Sequence, residues 1–144
     1  MHKIIWTFLL IIVFGCKENS KGTDKIIARK QQTPELKLSI DRGAGLYNNF
    51  CASCHLSGGE GIKGVFPPLN NSDWLKNRQE ESIRAVKFGL RGPIKVNGEK
   101  YDNLMPALGL NDREIADVIN YINNSWDNNI PDPVTEEEVA AIEK

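Results

Sequence analysis

The sequence predicts one small all-α domain, and three observations lead to that prediction. Apolar residues recur at helical spacing, most clearly at Ile115, Val118, Ile119 and Ile122. Residues that commonly cap helices precede several such segments. Only residues 94–101 alternate like a strand, around a turn-forming Asn-Gly pair, which indicates one short hairpin. A length of 144 residues leaves room for a single domain.

The first predicted helix lies before the middle of the chain. Asp41 can cap its N-terminus, and the helix then runs to about Phe50. Leu46, Tyr47 and Phe50 give it an apolar side. This side is expected to face the core.

The next helices are predicted from capping boxes, in which an Asn or Thr is followed three residues later by Glu. One box covers residues 77–80 and precedes an apolar segment that stops at Gly89. A second box at residues 111–114 opens the helix that contains Ile115. A third box at residues 135–138 predicts a short final helix, with Val134 packed against Val139.

The residues Cys51–His55 form a C-x-x-C-H motif, which is typical of covalent haem attachment. Two thiols at this spacing can add to the two vinyl groups of one porphyrin edge, and the adjacent histidine can ligate the iron. A structural zinc site would need four ligands, and the only other cysteine or histidine residues are Cys16 and His2. A thioredoxin-like redox pair would need a βαβ context, which the pattern lacks. The motif therefore predicts one covalent haem c, held by Cys51 and Cys54 with His55 on the iron.

Met105 is the candidate for the sixth iron ligand. Apart from residues 1–15, the chain has no other methionine, and His55 is its only histidine. Met105 lies in a predicted loop before a helix. A loop can place the methionine thioether on one face of the planar porphyrin ring, where it can ligate the iron. The alternative is a core methionine that fills a packing gap.

The N-terminal residues have the pattern of a targeting segment. Lys3 precedes an apolar run from Ile4 to Phe14. As a helix this run would be about 16 Å long, too short to span a bilayer core of about 30 Å. Residues 1–15 are therefore predicted to be a signal peptide, which puts the mature protein outside the cytoplasm.

The end of the apolar run, residues 13–16, resembles the lipobox of bacterial lipoproteins. That resemblance implies cleavage before Cys16 and lipidation of its sulfur, with residues 16–38 as a lipidated tether and residues 39–144 as the domain with its C-terminal tail. The alternatives are an ordinary signal peptide followed by a stray cysteine, or an uncleaved anchor. Lipidation would attach the protein to a membrane of the cell envelope, on its periplasmic side.

With the C-x-x-C-H motif inside a helical pattern, the chain resembles the class I, monohaem cytochromes c. Residues 43–47 resemble the first helix of that family, and residues 118–122 resemble its last helix. In the family these helices cross at a glycine–aromatic contact, which implies Gly43 against Tyr121. The resemblance also implies that the carbonyl of Pro67 accepts a hydrogen bond from the proximal imidazole.

Three further residues are candidates for contact with the haem propionates. Trp74, Arg91 and Tyr101 carry donors that suit carboxylates. The alternatives are that Trp74 and Tyr101 are core residues with satisfied polar tips and that Arg91 is solvated.

The predicted function is one-electron transfer by a haem iron that cycles between Fe(II) and Fe(III). The segment 89–98 and its neighbours resemble small cytochromes that are paired with periplasmic dehydrogenases, nitrite reductases and terminal oxidases. Redox proteins are thus the expected donor and acceptor. A formal net charge of −1 argues against a nucleic-acid partner. The oligomeric state is left open.

Filled iron positions favour a carrier over an enzyme, either alone or as a subunit of a redox complex. Two alternatives remain, and both need an open iron position. One is a peroxidase, for which no second histidine is available in the mature chain. The other is a sensor in which a small molecule displaces Met105.

Overall fold

The structure is a computed structural model that describes residues 33–144. This part of the chain is mostly helical, with one two-stranded antiparallel hairpin, which confirms the predicted fold class. The predicted signal peptide, Cys16 and the tether up to residue 32 lie outside the described residues. The elements are α1 (Pro34–Phe50), α2 (Ala52–His55), α3 (Asp73–Asn77), α4 (Gln79–Phe88), β1 (Ile94–Val96), β2 (Glu99–Tyr101), α5 (Asp112–Asn124) and α6 (Glu136–Ala141).

The prediction that α1 begins at Asp41 is wrong, because the helix begins at Pro34. Thr33 is its cap and accepts a hydrogen bond from the backbone N–H of Leu36 at 3.2 Å. Proline suits the first helical position because its missing N–H would have no helical partner there. Asp41 lies inside the helix and pairs with Lys37 at 2.8 Å, one turn earlier. The early turns escaped prediction because they are largely exposed, so residues 34–38 of the expected tether are helical.

The predicted capping box at residues 77–80 is also wrong. Asn77 ends α3, and α4 follows Arg78 without a side-chain cap. The helix start that the sequence analysis missed is at Ser72, whose hydroxyl accepts from the N–H of Leu75 at 3.4 Å. The end of α4 at Gly89 is as predicted.

The other three local predictions are confirmed. The strands pair antiparallel around Asn97 and Gly98, whose φ angles of 49° and 84° suit a tight hairpin turn. Asn111 and Glu114 form a reciprocal capping box at the start of α5, with both hydrogen bonds at 2.9 Å. Thr135 opens α6 in the same way.

Helix α6 is held against the main helices by its apolar and polar contacts. Val134 and Val139 are both buried in the core, as expected for residues that flank this capping box. The ammonium of Lys87, near the end of α4, donates to the carbonyl of Val139 at 2.7 Å and pairs with Asp112 of α5 at 3.1 Å. One lysine thus links α4, α5 and α6.

Helices α1 and α5 cross very closely at Gly43. A Cβ atom at Gly43 would collide with the carbonyl oxygen of Asp117 and would lie 2.8 Å from Cβ of Tyr121. The expected approach of Gly43 to Tyr121 is therefore present. Only a residue without a side chain lets the two backbones come this near.

A buried polar network fixes the same crossing. The carboxylate of Asp117 is almost fully buried and accepts two hydrogen bonds from the guanidinium of Arg42 and one from Ser39, all at 2.6 Å. Asn120 extends the network from Ser39 to the backbone of Val134. The Arg42 side chain is 43% exposed, so Asp117 is the buried member of this pair, and removing Arg42 would leave its carboxylate with Ser39 as the remaining hydrogen-bond donor.

Gly43→Ala is expected to lower the free energy of unfolding by about 1–3 kcal/mol, since the new methyl group forces the two helices apart. Gly45→Ala is the matched control in the same helix, where an added Cβ meets nothing within 4 Å. It should raise stability by about 0.5–1 kcal/mol through helix propensity. Denaturant unfolding of the holoprotein measures both changes. Equal effects of the two substitutions would contradict the importance of the crossing.

Candidate haem-binding site

The two motif cysteines and the histidine are brought together by the junction of α1 and α2. Cys51 ends α1, and its carbonyl accepts hydrogen bonds from the N–H groups of Cys54 and His55 at 3.1 and 2.9 Å. Residues at positions i, i+3 and i+4 of a helical turn share one side. The motif spacing therefore presents two sulfurs and one imidazole on the same side of a single turn.

Before haem is attached, burial favours the thiol form of the Cys51 side chain. Its side chain is buried, and this burial raises the pKa of Cys51 to about 11, with a smaller contribution from the neighbouring Cys54. Reactive cysteines of thioredoxin-like pairs have lowered pKa values instead. Within residues 33–144, no group of three or more His, Cys, Asp or Glu residues is arranged to hold a metal ion.

His55 is oriented by one hydrogen bond. Its Nδ1 lies 2.9 Å from the carbonyl oxygen of Pro67, as the family resemblance implied. A carbonyl can only accept, so Nδ1 carries the proton and Nε2 carries the free lone pair. Burial lowers the pKa of His55, against a smaller opposing effect of the Pro67 carbonyl. The imidazole is therefore neutral at neutral pH, the form in which it can coordinate a metal.

An apolar cleft adjoins this imidazole. Its outer part, bordered by exposed apolar side chains, has a cavity volume of about 250 Å³, and its inner part, walled by core residues, has a cavity volume of about 70 Å³. The residues shared by the walls of both parts are Cys51, His55, Pro67, Leu90, Ile94 and Met105.

The backbone of Met105 is anchored to Leu90. The N–H of Leu90 donates to the carbonyl of Met105 at 2.8 Å, and the reverse hydrogen bond is 3.0 Å long. Gly89 has a φ angle of +80°, and a Cβ atom there would lie 2.8 Å from the Met105 carbonyl oxygen. The loop that carries Met105 is thus fixed beside the end of α4 by a contact that requires glycine.

The remaining candidate residues are placed differently from one another. Trp74 lines the inner part of the cleft, and Tyr101, which is buried, lines the outer part. Arg91 is exposed and lines neither part. Contact of these three side chains with haem propionates stays a prediction.

The rim of the outer part consists of unusually exposed apolar side chains. Phe50, Val65 and Leu104 line it with relative exposures of 42%, 38% and 52%. A large apolar group in the cleft would cover part of this surface. Together with two thiols, a neutral imidazole and a thioether in the walls, the rim fits a haem.

The contacts that hold the loop after His55 are not apparent from the sequence. The hydroxyl of Tyr47 donates to the carbonyl of Leu56 at 2.6 Å, and the Tyr47 ring lies 5.3 Å from those of Tyr121 and Trp126. The apolar periodicity of α1 marked Tyr47 as buried but gave no partner for its hydroxyl. Such partners lie far apart in sequence, so local patterns do not indicate them.

Comparison with known proteins agrees with this geometry. The family described as Cytochrome c matches residues 40–126, which is more than half of the chain. The chain belongs to the cytochrome c family. This cytochrome c accordingly binds covalent haem c with its iron and has the fold expected of class I members.

Three relatives illustrate where such domains occur. Cytochrome c-552 of Thermus thermophilus is 40% identical over 63% of this chain and 64% of its own length. The cytochrome c subunit of the quinone alcohol dehydrogenase of Gluconobacter oxydans is 33% identical over 67% of this chain. The FixP subunit of the cbb3-type cytochrome c oxidase of Bradyrhizobium diazoefficiens is 34% identical over 75% of it.

The matched region makes up only part of each relative, namely 21% of the dehydrogenase subunit and 38% of FixP. All of them share the cytochrome c domain with this chain. The function of that domain is one-electron transfer. Among residues 33–144, no helix has the length and apolar character needed to cross a bilayer.

Haem-free protein is expected to fold poorly, because the cleft walls lose the apolar group around which they pack and the domain has only a modest core of its own. The double substitution Cys51→Ala and Cys54→Ala removes both covalent links, and the fraction that shows no haem absorption supplies such protein. Circular dichroism during heating should show no cooperative transition near that of the holoprotein. A sharp transition at a similar temperature would contradict this expectation.

Proposed function

We propose that this cytochrome c carries single electrons between redox proteins outside the cytoplasm and that its iron has two protein ligands, His55 and Met105. Cys51 and Cys54 form the thioether links to the haem. The observation that carries the proposal is that His55 and Met105 line both parts of one apolar cleft. When bound, the haem supplies an iron that gains and loses one electron reversibly.

The two ligands favour electron transfer for chemical reasons. A methionine thioether raises the reduction potential of a haem relative to a second nitrogen ligand. Met105 would also close the position at which oxygen or peroxide would bind, so the chain is proposed to be a carrier and not an enzyme. The hydrogen bond from His55 to Pro67 would hold the other ligand in one tautomer and one orientation.

The propionate groups of the haem are proposed to meet Trp74, Tyr101 and Arg91. The first two line the cleft and carry N–H or O–H donors. Arg91 does not line the cleft itself but follows Leu90, which does and whose backbone pairs with Met105. A guanidinium can bind a carboxylate through two parallel hydrogen bonds.

The cellular setting proposed here is a membrane surface. Cleavage before Cys16 would leave a cysteine that carries two or three acyl chains, and more than one chain is needed for stable anchoring. The chain behind it would keep the domain near membrane-bound partners. Relatives named as subunits of a dehydrogenase and of an oxidase support redox complexes of these kinds as donor and acceptor, with nitrite reductases as a further class.

Optical spectra of the oxidised and reduced holoprotein test the ligation. The weak red band of iron–sulfur ligation should be present, and carbon monoxide should leave the reduced spectrum unchanged. In Met105→Ala the band should vanish and carbon monoxide should bind, because the sixth position opens. A wild-type spectrum that is high-spin and shifts with carbon monoxide would favour an enzyme or a sensor.

Two glycine variants distinguish the effect of displacing Met105 from the effect of backbone strain alone. Gly89 and Gly98 both have positive φ angles, +80° and +84°, so an alanine is strained at either position. Only at Gly89 does the new Cβ press on the Met105 backbone, whereas at Gly98, which does not line the cleft, it meets nothing within 4 Å. Gly89→Ala should weaken the red band, and Gly98→Ala should keep it.

Cys16→Ser is expected to release the protein from the membrane, since the acyl acceptor is lost. Fractionation of cells measures the change, and mass spectrometry of the mature N-terminus identifies the acyl groups on the wild type. A wild-type N-terminus without lipid would contradict lipidation at Cys16, whereas a variant that stays in the membrane fraction with residues 1–15 still attached would not.

A further inference from the structure

The turn that follows α5 contacts the loop after His55. The indole N–H of Trp126 donates to the carbonyl of Ser57 at 3.2 Å. Its ring lies directly on Gly59, where a Cβ atom would be only 2.5 Å from the nearest ring carbon. Trp126 has a φ angle of 53°, which is uncommon for a residue with a side chain and persists only where surrounding contacts enforce it.

The same turn contacts the segment after Pro67. Asn128 is buried, with 6% exposure, although asparagine is usually a surface residue. Its side-chain amide donates to the carbonyls of Leu69 and Ile122 at 2.9 Å, and its carbonyl oxygen accepts from the N–H of Asn71 at 2.8 Å. These three hydrogen bonds join the end of α5 to residues 69–71.

The two contacted segments are also tied to each other. The carbonyl of Gly59 accepts from the N–H groups of Leu69 and Asn70 at 2.7 and 2.8 Å. His55 lies just before the first segment, and Pro67 lies just before the second. The donor and the acceptor of the His55–Pro67 hydrogen bond are therefore each fixed close to a contact of residues 126–128.

We infer that residues 126–128, here called the post-α5 clamp, position the carbonyl of Pro67 against His55 and thereby tune the reduction potential of the haem. Trp126 and Asn128 are positioning residues, since they act through the loop and do not line the cleft. The inference rests on the proposed ligation of iron by His55.

The physical basis is the effect of the outer hydrogen bond on the ligand. An acceptor at Nδ1–H makes the imidazole a stronger donor, which stabilises the oxidised metal. When the clamp is loosened, the hydrogen bond to Pro67 lengthens and the imidazole becomes a weaker donor. The reduction potential should then rise.

Asn128→Ala tests the inference in the holoprotein. We expect a shift of the midpoint potential to more positive values in a redox titration. The paramagnetically shifted haem methyl resonances of the oxidised protein should move as well, because they depend on the orientation of the imidazole. A loss of thermal stability without either change would overturn the inference, since it would show a structural role alone.

Asn120→Ala is the matched control. Asn120 is also buried, lies in α5, eight residues before Asn128, and makes amide hydrogen bonds of similar length to Ser39 and Val134, not to the loops around His55. It should lower the thermal stability but leave the potential and the methyl resonances as in the wild type. A potential shift in Asn120→Ala as large as that in Asn128→Ala would also overturn the inference.

A milder variant decides the matter if Asn128→Ala does not fold. Trp126→Phe keeps an aromatic ring but loses the hydrogen bond to Ser57. It should shift the potential in the same direction. An unchanged potential would overturn the inference, whereas failure of His55 ligation would already appear as an altered wild-type spectrum.

Discussion

The close crossing of α1 and α5 is the constraint on which the rest of the structure depends. It is possible because Gly43 leaves room for the backbone at Asp117, and it is fixed by the pairing of Arg42 with the buried carboxylate of Asp117. The end of α1 becomes the start of the haem-attachment turn, and the end of α5 becomes the post-α5 clamp. The contact between α1 and α5 therefore determines the positions of both the haem-attachment turn and the post-α5 clamp.

The walls of the cleft are formed in part by residues of the helical core. Ile119 and Ile122 of α5 and Val86 of α4 face its inner part, so these core residues also serve as walls of the binding site. Stability and cofactor binding are thus properties of the same side chains. A small domain gains most from this arrangement, because a large apolar cofactor adds to a limited core.

Local sequence signals predicted secondary structure well where the interacting residues lie only a few positions apart. The capping boxes at Asn111 and Thr135 and the turn at Asn97 need only residues a few positions apart, and all three are confirmed. The box predicted at Asn77 failed because Ser72 begins a helix earlier and Asn77 ends it. The start of α1 was missed because a largely exposed helix carries little apolar periodicity.

The sequence by itself determined the covalent haem, since the spacing of Cys51, Cys54 and His55 matches one helical turn and needs no distant partner. It also left Met105 as the candidate for the sixth iron ligand, because residues 16–144 contain no other methionine and no second histidine. Only the tertiary structure decided which groups hold the loop around His55, because Asn128 and Trp126 meet that loop across long stretches of chain. Hydrogen bonds between distant segments leave no periodic trace in a sequence.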